Sequence, residues 1–95
     1  MAEVYIPAAM RNLTGGERVV TVAGDTVGQL INAIEEIHGG LKDRLLHEGK
    51  LRPGMALCID GETLERGRLN TRVKSNSRVY FVLATAGGLT VNARI

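Results

Sequence analysis

The residues with the clearest capacity for chemistry are two consecutive glycines, Gly87 and Gly88, which follow an apolar, strand-like run. Glycine has no Cβ and adopts backbone angles closed to other residues, so two glycines beyond a compact domain form a thin arm that can enter a narrow enzyme tunnel. A free α-carboxylate on Gly88 would give this arm a group that an enzyme can activate. In the sequence as written, Leu89 follows Gly88, so that carboxylate is blocked while residues 89–95 remain attached.

Side chains that act as nucleophiles or metal ligands are sparse. Cys58 is the single cysteine, which excludes an intramolecular disulfide and favours a cytoplasmic protein. A reactive thiol needs a neighbouring base, and neither His38 nor His47 has a motif spacing to Cys58, which we interpret as a half-buried strand residue. We predict no catalytic residue, no metal site and no bound cofactor, because the sequence contains no nucleophile–base set and no phosphate-binding loop.

The charges are nearly balanced, since 12 basic and 10 acidic residues give a formal net charge of +2. They are interleaved without a long basic stripe, which argues against a nucleic-acid partner. No apolar run is long enough to span a membrane, so we predict no membrane association. The densest basic cluster consists of Arg66, Arg68, Arg72 and Lys74. Such a cluster is either a solvated loop or a docking patch for an acidic partner.

The first residues predict a β-hairpin. Residues 1–7 read as a strand that Pro7 ends, because proline cannot donate to a ladder. The turn Thr14-Gly15-Gly16 then reverses the chain, and the β-branched residues within 17–23 form the second strand.

A helix follows the hairpin. Thr26 and Gln29 fit a capping box at its start, and Gly39-Gly40 ends it. The apolar residues between these signals recur at helical spacing and predict one buried stripe, which consists of Val27, Leu30, Ile31, Ile34 and Ile37.

The second half predicts a short helix within residues 41–46, a loop over 47–54 and three further strands. Residues 55–60 alternate as a half-buried strand does, and Asp60-Gly61 predicts a tight turn into a short return strand around Thr63 and Leu64. Residues 78–84 are apolar on both faces, which indicates a central strand.

This order of elements is typical of the β-grasp fold, an α+β architecture in which one long helix packs across a mixed sheet of four to five strands. We assign residues 1–86 to this domain and residues 87–95 to the Gly-Gly arm and a C-terminal extension.

Five segments follow one another along the chain: Val4-Tyr5-Ile6-Pro7, Thr14-Gly15-Gly16, Gly24-Asp25-Thr26-Val27-Gly28, Leu41 with Arg44-Leu45, and Ala86-Gly87-Gly88. In this order the sequence resembles, over residues 3–88, the ThiS/MoaD family, the ubiquitin-like sulfur carriers of thiamin, molybdopterin and cysteine biosynthesis. The second and third segments are most similar to the carriers of cysteine biosynthesis.

The resemblance implies that the protein is a substrate of its partners and not an enzyme. In this family an ATP-dependent activating enzyme adenylates the terminal glycine carboxylate, which is then converted to a thiocarboxylate and passes sulfur to a synthase. Gly88 would be the modified residue and Gly87 its spacer. The resemblance also implies docking through the sheet surface near the last strand, for which Arg72, Arg78 and Tyr80 are the candidates.

The sequence departs from the family after Gly88, because most such carriers end at the second glycine. We therefore expect cleavage between Gly88 and Leu89, for which a zinc-dependent peptidase is a candidate through the same resemblance. Residues 89–95 also alternate apolar with polar or small residues, so they could instead add a permanent strand to this domain or to a second copy. The protein would then be an interaction module. A ubiquitin-like modifier that joins Gly88 to a lysine is the third possibility.

Overall fold

The computed structural model describes residues 1–64 and 69–83 of the chain. The elements in chain order are β1 (Ala2–Tyr5), a 3-10 helix (Ala8–Thr14), β2 (Val19–Val22), α1 (Val27–Ile37), α2 (Leu41–Leu45), β3 (Leu46–His47), β4 (Lys50–Leu51), β5 (Met55–Ile59), β6 (Glu62–Leu64) and β7 (Arg78–Leu83). Among these elements no helix is both long and apolar enough to cross a membrane.

A mixed sheet of five strands has the order β2-β1-β7-β5-β6. β1 and β7 run parallel at its centre, and the other neighbours are antiparallel. The predicted β-grasp architecture is confirmed, including the central position of the last strand. β1 ends just before Pro7, as its sequence predicts.

Helix α1 packs its apolar stripe against the inner face of the sheet. Val27, Leu30, Ile31 and Ile34 are each at most 1% exposed, and they join a core whose sheet residues include Val4, Val20, Leu57, Val79 and Phe81. The prediction for Ile37 is wrong, because its side chain is 59% exposed. At 100° per residue, position 37 lies about 70° from the centre of the stripe, and it is the last residue of the helix.

Side chains at both ends of α1 satisfy backbone N–H groups. Thr26 Oγ1 accepts from the Gln29 N–H (3.2 Å), and Gln29 Oε1 accepts from the Asp25 N–H (2.7 Å), so the predicted capping box closes one residue earlier than usual. Glu35, which lies outside the predicted apolar stripe, accepts from the N–H groups of Lys42 and Gly40 at the start of α2. These hydrogen bonds hold the pKa of the Glu35 carboxyl below its ordinary value.

Two elements go beyond the sequence prediction. The segment between β1 and β2 forms a 3-10 helix before the predicted Gly15-Gly16 turn. The predicted loop over residues 47–54 contains a small hairpin of β3 and β4, whose turn residues Glu48 and Gly49 both have positive φ (53° and 78°). Glu-Gly is an uncommon turn dipeptide, and strands of two residues leave no periodicity to detect.

Candidate functional site

The predicted site of chemistry lies beyond the end of β7. Gly87, Gly88 and Leu89 are outside the described residues, as are Arg66 and Arg68 of the basic cluster. Strand β7 ends at Leu83, and Gly88 follows five positions later. Of the described surface, the part beside the last residues of β7 is therefore nearest to the arm along the chain.

The outer face of the sheet, opposite α1, carries a stacked pair of tyrosines. Tyr5 in β1 is paired in register with Tyr80 in β7, and their ring centroids are 4.1 Å apart with an interplanar angle of 9°. Tyr80 is 38% exposed. A partly exposed aromatic pair on the outer face of the sheet is suited to contact with a partner protein.

The Tyr5 hydroxyl is embedded in a local hydrogen-bond network. It donates to Glu3 Oε1 at 3.1 Å. The neighbouring Tyr80 side chain, partial burial and the Glu3 carboxylate raise the pKa of Tyr5 above its ordinary value of 10.0. The phenol therefore stays neutral across the physiological pH range.

Arg78 lies on the same face, one alternation before Tyr80. Its Nε is 3.5 Å from Glu3 Oε1. Its backbone N–H donates to Asp60 Oδ1 (2.9 Å), and the Ser77 hydroxyl donates to Asp60 Oδ2 (2.9 Å). These two bonds hold the pKa of the Asp60 carboxyl below its ordinary value and fix the start of β7 against the β5–β6 turn.

The structure brings Arg78 and Tyr80 together but places Arg72 elsewhere. Arg72 forms an isolated bridge with Thr26 at the start of α1, and the neighbouring Val73 N–H donates to the Asp25 carbonyl (2.9 Å). Arg72 is therefore exposed beside the helix N-terminus and not on the strand that carries Arg78. The predicted docking role of all three residues stays a prediction.

Cys58 has the environment that its sequence predicts. It is partly buried in β5, where it is paired in register with Tyr80 on one side and Thr63 on the other. His38 caps the C-terminus of α1, and His47 is exposed in β3.

A groove of about 660 Å³ opens at the end of the sheet where β1 stops and β7 continues. Its lining residues come from both tyrosine-bearing strands, from the 3-10 helix and from the start of β2: Tyr5, Ile6, Pro7, Arg11, Arg18, Val19, Tyr80 and Phe81. Sequence reasoning missed Tyr5, Arg11 and Arg18 as surface candidates. For Tyr5 the only signal in the sequence was its outward position on a strand, which Tyr80 shares on the neighbouring strand. The sequence carried no comparable signal for Arg11 and Arg18.

Comparison with known proteins is consistent throughout with this fold. The model of the ThiS family matches residues 4–88. The sulfur carrier protein CysO of Mycobacterium tuberculosis is 33% identical over 89 residues, which cover 90% of this chain and 96% of CysO.

Solved structures extend the comparison to the backbone. CysO in the Amycolatopsis orientalis BexX/CysO complex is similar to this chain with a TM-score of 0.84 and 35% identity, over 93% of this chain and all of the matched one. CysO of M. tuberculosis gives a TM-score of 0.82 and 29% identity over 90% of this chain and 100% of that one. SAMP1 of Haloferax volcanii shares the fold, with a TM-score of 0.67 and 23% identity over 92% of this chain and 98% of SAMP1. The chain therefore belongs to the ThiS family and is of the same type as the CysO sulfur carrier proteins.

Proposed function

We propose that this protein carries sulfur as a thiocarboxylate on Gly88, after cleavage of the bond between Gly88 and Leu89. The observation that carries the proposal is the extent of the family match, which runs to residue 88 and stops on the second glycine. Residues 89–95 lie beyond the part of the chain that resembles the family.

The chemistry requires three partners in sequence. A peptidase, for which a zinc-dependent enzyme is the candidate, adds water across the Gly88–Leu89 amide and frees the Gly88 carboxylate. An activating enzyme then directs this carboxylate to the α-phosphorus of ATP, which releases pyrophosphate and leaves an acyl-adenylate. A sulfur nucleophile displaces AMP to give the thiocarboxylate, and a synthase accepts the sulfur.

The carrier itself contributes an unobstructed arm and a docking surface. Gly87 and Gly88 present no side chain to the walls of a nucleotide site. The surface proposed for docking is the outer sheet face around Tyr5, Tyr80 and Arg78, because it is apolar at its centre and charged at its edge. The presence of CysO in a complex with BexX supports the expectation that carriers of this type bind partner proteins.

The test is the intact mass of the untagged protein isolated from its own cells. We expect a species that ends at Gly88, with one carboxylate oxygen replaced by sulfur in a fraction of the molecules. A matched Gly88→Val variant should show neither cleavage nor sulfur incorporation, because its β-branched side chain obstructs both active sites. If the wild-type protein retains residues 89–95 in every molecule, sulfur carriage at Gly88 is refuted, and an interaction module with a permanent extension takes its place. A species with Gly88 joined to a lysine would instead identify a modifier.

A second test addresses docking. In a carrier that ends at Gly88, Arg78→Glu should raise the KM of the carrier in the adenylation reaction. The matched Arg44→Glu variant should not, because Arg44 is exposed on α2, outside the sheet face that carries Arg78. Unchanged kinetics for Arg78→Glu would remove this residue from the docking surface.

A further inference from the structure

Strand β1 stops before its parallel neighbour does. Their pairing ends with Tyr5 and Tyr80, whereas β7 continues to Leu83 alongside β5. Pro7 has no N–H to donate, and its carbonyl accepts from the Met10 N–H (2.9 Å) as the chain turns into the 3-10 helix. Within the described chain, β1 therefore offers β7 no donor beyond Tyr5.

The pattern of hydrogen bonds directs the Phe81 carbonyl towards Pro7, which has no N–H to donate to it. The Glu3 N–H donates to the Ser77 carbonyl at 2.9 Å. In this register the backbone N–H and C=O groups of the odd-numbered residues in each strand point towards the other strand. Phe81 is the next odd-numbered residue after the paired region, so its carbonyl is directed towards Pro7. A segment that supplied an N–H at this point would continue the parallel pairing along β7.

Positive charge lies beside this open stretch of strand. Arg11 is held there by a hydrogen bond from its Nε to the Ile6 carbonyl (3.0 Å), and Arg18 is exposed at the start of β2. Of the described residues that line the groove, none is acidic. The other lining residues are aromatic or apolar: Tyr5, Ile6, Pro7, Val19, Tyr80 and Phe81.

We propose that the groove binds an extended, acidic segment of a partner protein, which pairs its backbone with β7 at Phe81 and places a carboxylate between Arg11 and Arg18. Backbone pairing at an exposed strand edge, with side chains in adjacent pockets, is an established mode of peptide recognition. That this partner is the enzyme acting on Gly88 rests on the proposed function, because such a segment would bind within a few residues of the arm.

The experiment titrates the full chain with short, end-blocked peptides and follows its backbone amide resonances by NMR. The probe alternates valine with glutamate, and matched peptides replace glutamate with glutamine or lysine. We expect the glutamate peptide to shift the amides of Arg18, Val19 and Phe81 to Leu83, and the lysine peptide to leave them unchanged. Equal binding of the lysine peptide, or shifts confined to β3 and β4, would overturn the proposal.

Two controls separate charge from backbone pairing. Arg18→Gln should weaken the glutamate peptide about two- to fivefold, the range expected for one exposed ion pair, while Arg44→Gln should have no effect. The same peptide with every backbone amide N-methylated has lost its donors and should not bind. Undiminished binding by the N-methylated peptide, or by Arg18→Gln, contradicts the assigned contacts.

Neither ATP, an activating enzyme nor Gly88 takes part in this titration. A negative result therefore removes the groove and leaves sulfur carriage intact. Conversely, if the protein in cells carries no thiocarboxylate, a positive titration would still support peptide binding in the groove.

Discussion

The packing of α1 predicts a large difference between two isoleucines that lie three residues apart. Ile34 is fully buried against the sheet, whereas Ile37 is 59% exposed. Truncation of a buried isoleucine to alanine removes its transfer free energy and leaves a cavity, at a cost of about 2–5 kcal/mol. An exposed position changes the free energy of unfolding by no more than about 0.5 kcal/mol.

These values are large against the stability of a small domain. A chain of 95 residues has a free energy of unfolding of about 5–14 kcal/mol. We expect Ile34→Ala to lower Tm by about 10–25 °C and Ile37→Ala to change it by less than about 4 °C. Ile34→Asp should abolish folding, because a carboxylate in this core has no partner.

The assay is urea and thermal unfolding followed by far-UV circular dichroism. Ile34→Val serves as an intermediate, with an expected loss of about 0.5–1.5 kcal/mol, so the series stays measurable even if Ile34→Ala unfolds. Equal losses for Ile34→Ala and Ile37→Ala would refute the position of α1 on the sheet. Unchanged stability of Ile34→Val and Ile34→Ala would refute burial of this residue.

Three further predictions concern single side chains. Thr26→Ala should lower the free energy of unfolding by about 1 kcal/mol in urea, because the helix loses its N-cap; an undiminished value would show that the cap does not contribute. Asp60 has a lowered pKa in the folded state, so it stabilises the protein above its ordinary pKa of 3.8 and this contribution is lost as the pH falls below that value. Asp60→Asn should therefore flatten the dependence of Tm on pH in the acid range, and an unaltered profile would contradict the bonds to Arg78. Tyr80→Phe leaves Tyr5 as the only phenol and removes the largest cause of its raised pKa. The phenolate absorbance should then titrate closer to pH 10.0 than the Tyr5 component of the wild-type protein, whereas an unmoved midpoint would show that Tyr80 does not raise the pKa of Tyr5.

Sequence reasoning succeeded where one local signal determined the structure. The stripe from Val27 to Ile34 has a helical period with a cap at its start, and Asp60-Gly61 is a turn that only a few dipeptides form. The whole-chain order of such signals led to the β-grasp fold, and the family match confirms the resemblance.

Sequence reasoning failed where tertiary contacts determine the exposure or the partner of a side chain. Ile37 is apolar and close to the helical stripe, but it is the last residue of α1, and its burial depends on whether another element covers that end of the helix. Glu35 reads as a surface charge in the sequence, yet its carboxylate caps the next helix through a turn at Gly40. The pairing of Tyr5 with Tyr80 joins residues far apart in the chain, so no local pattern indicates the groove beside them.

The same long-range pairing determines when the protein can fold during synthesis. Of the described strands of this sheet, β1 is the first to leave the ribosome, and its central neighbour β7 is the last. Contacts between distant segments form slowly, because the intervening chain must first be ordered. Until β7 emerges, β1 has only β2 as a partner, and the core around Val4 and Val79 stays open. A ribosome that stalls before residue 78 would release a chain that lacks its central strand and presents unpaired edges prone to aggregation. Because Gly87 and Gly88 are translated after β7, any molecule that bears the arm already contains the five described strands of the sheet.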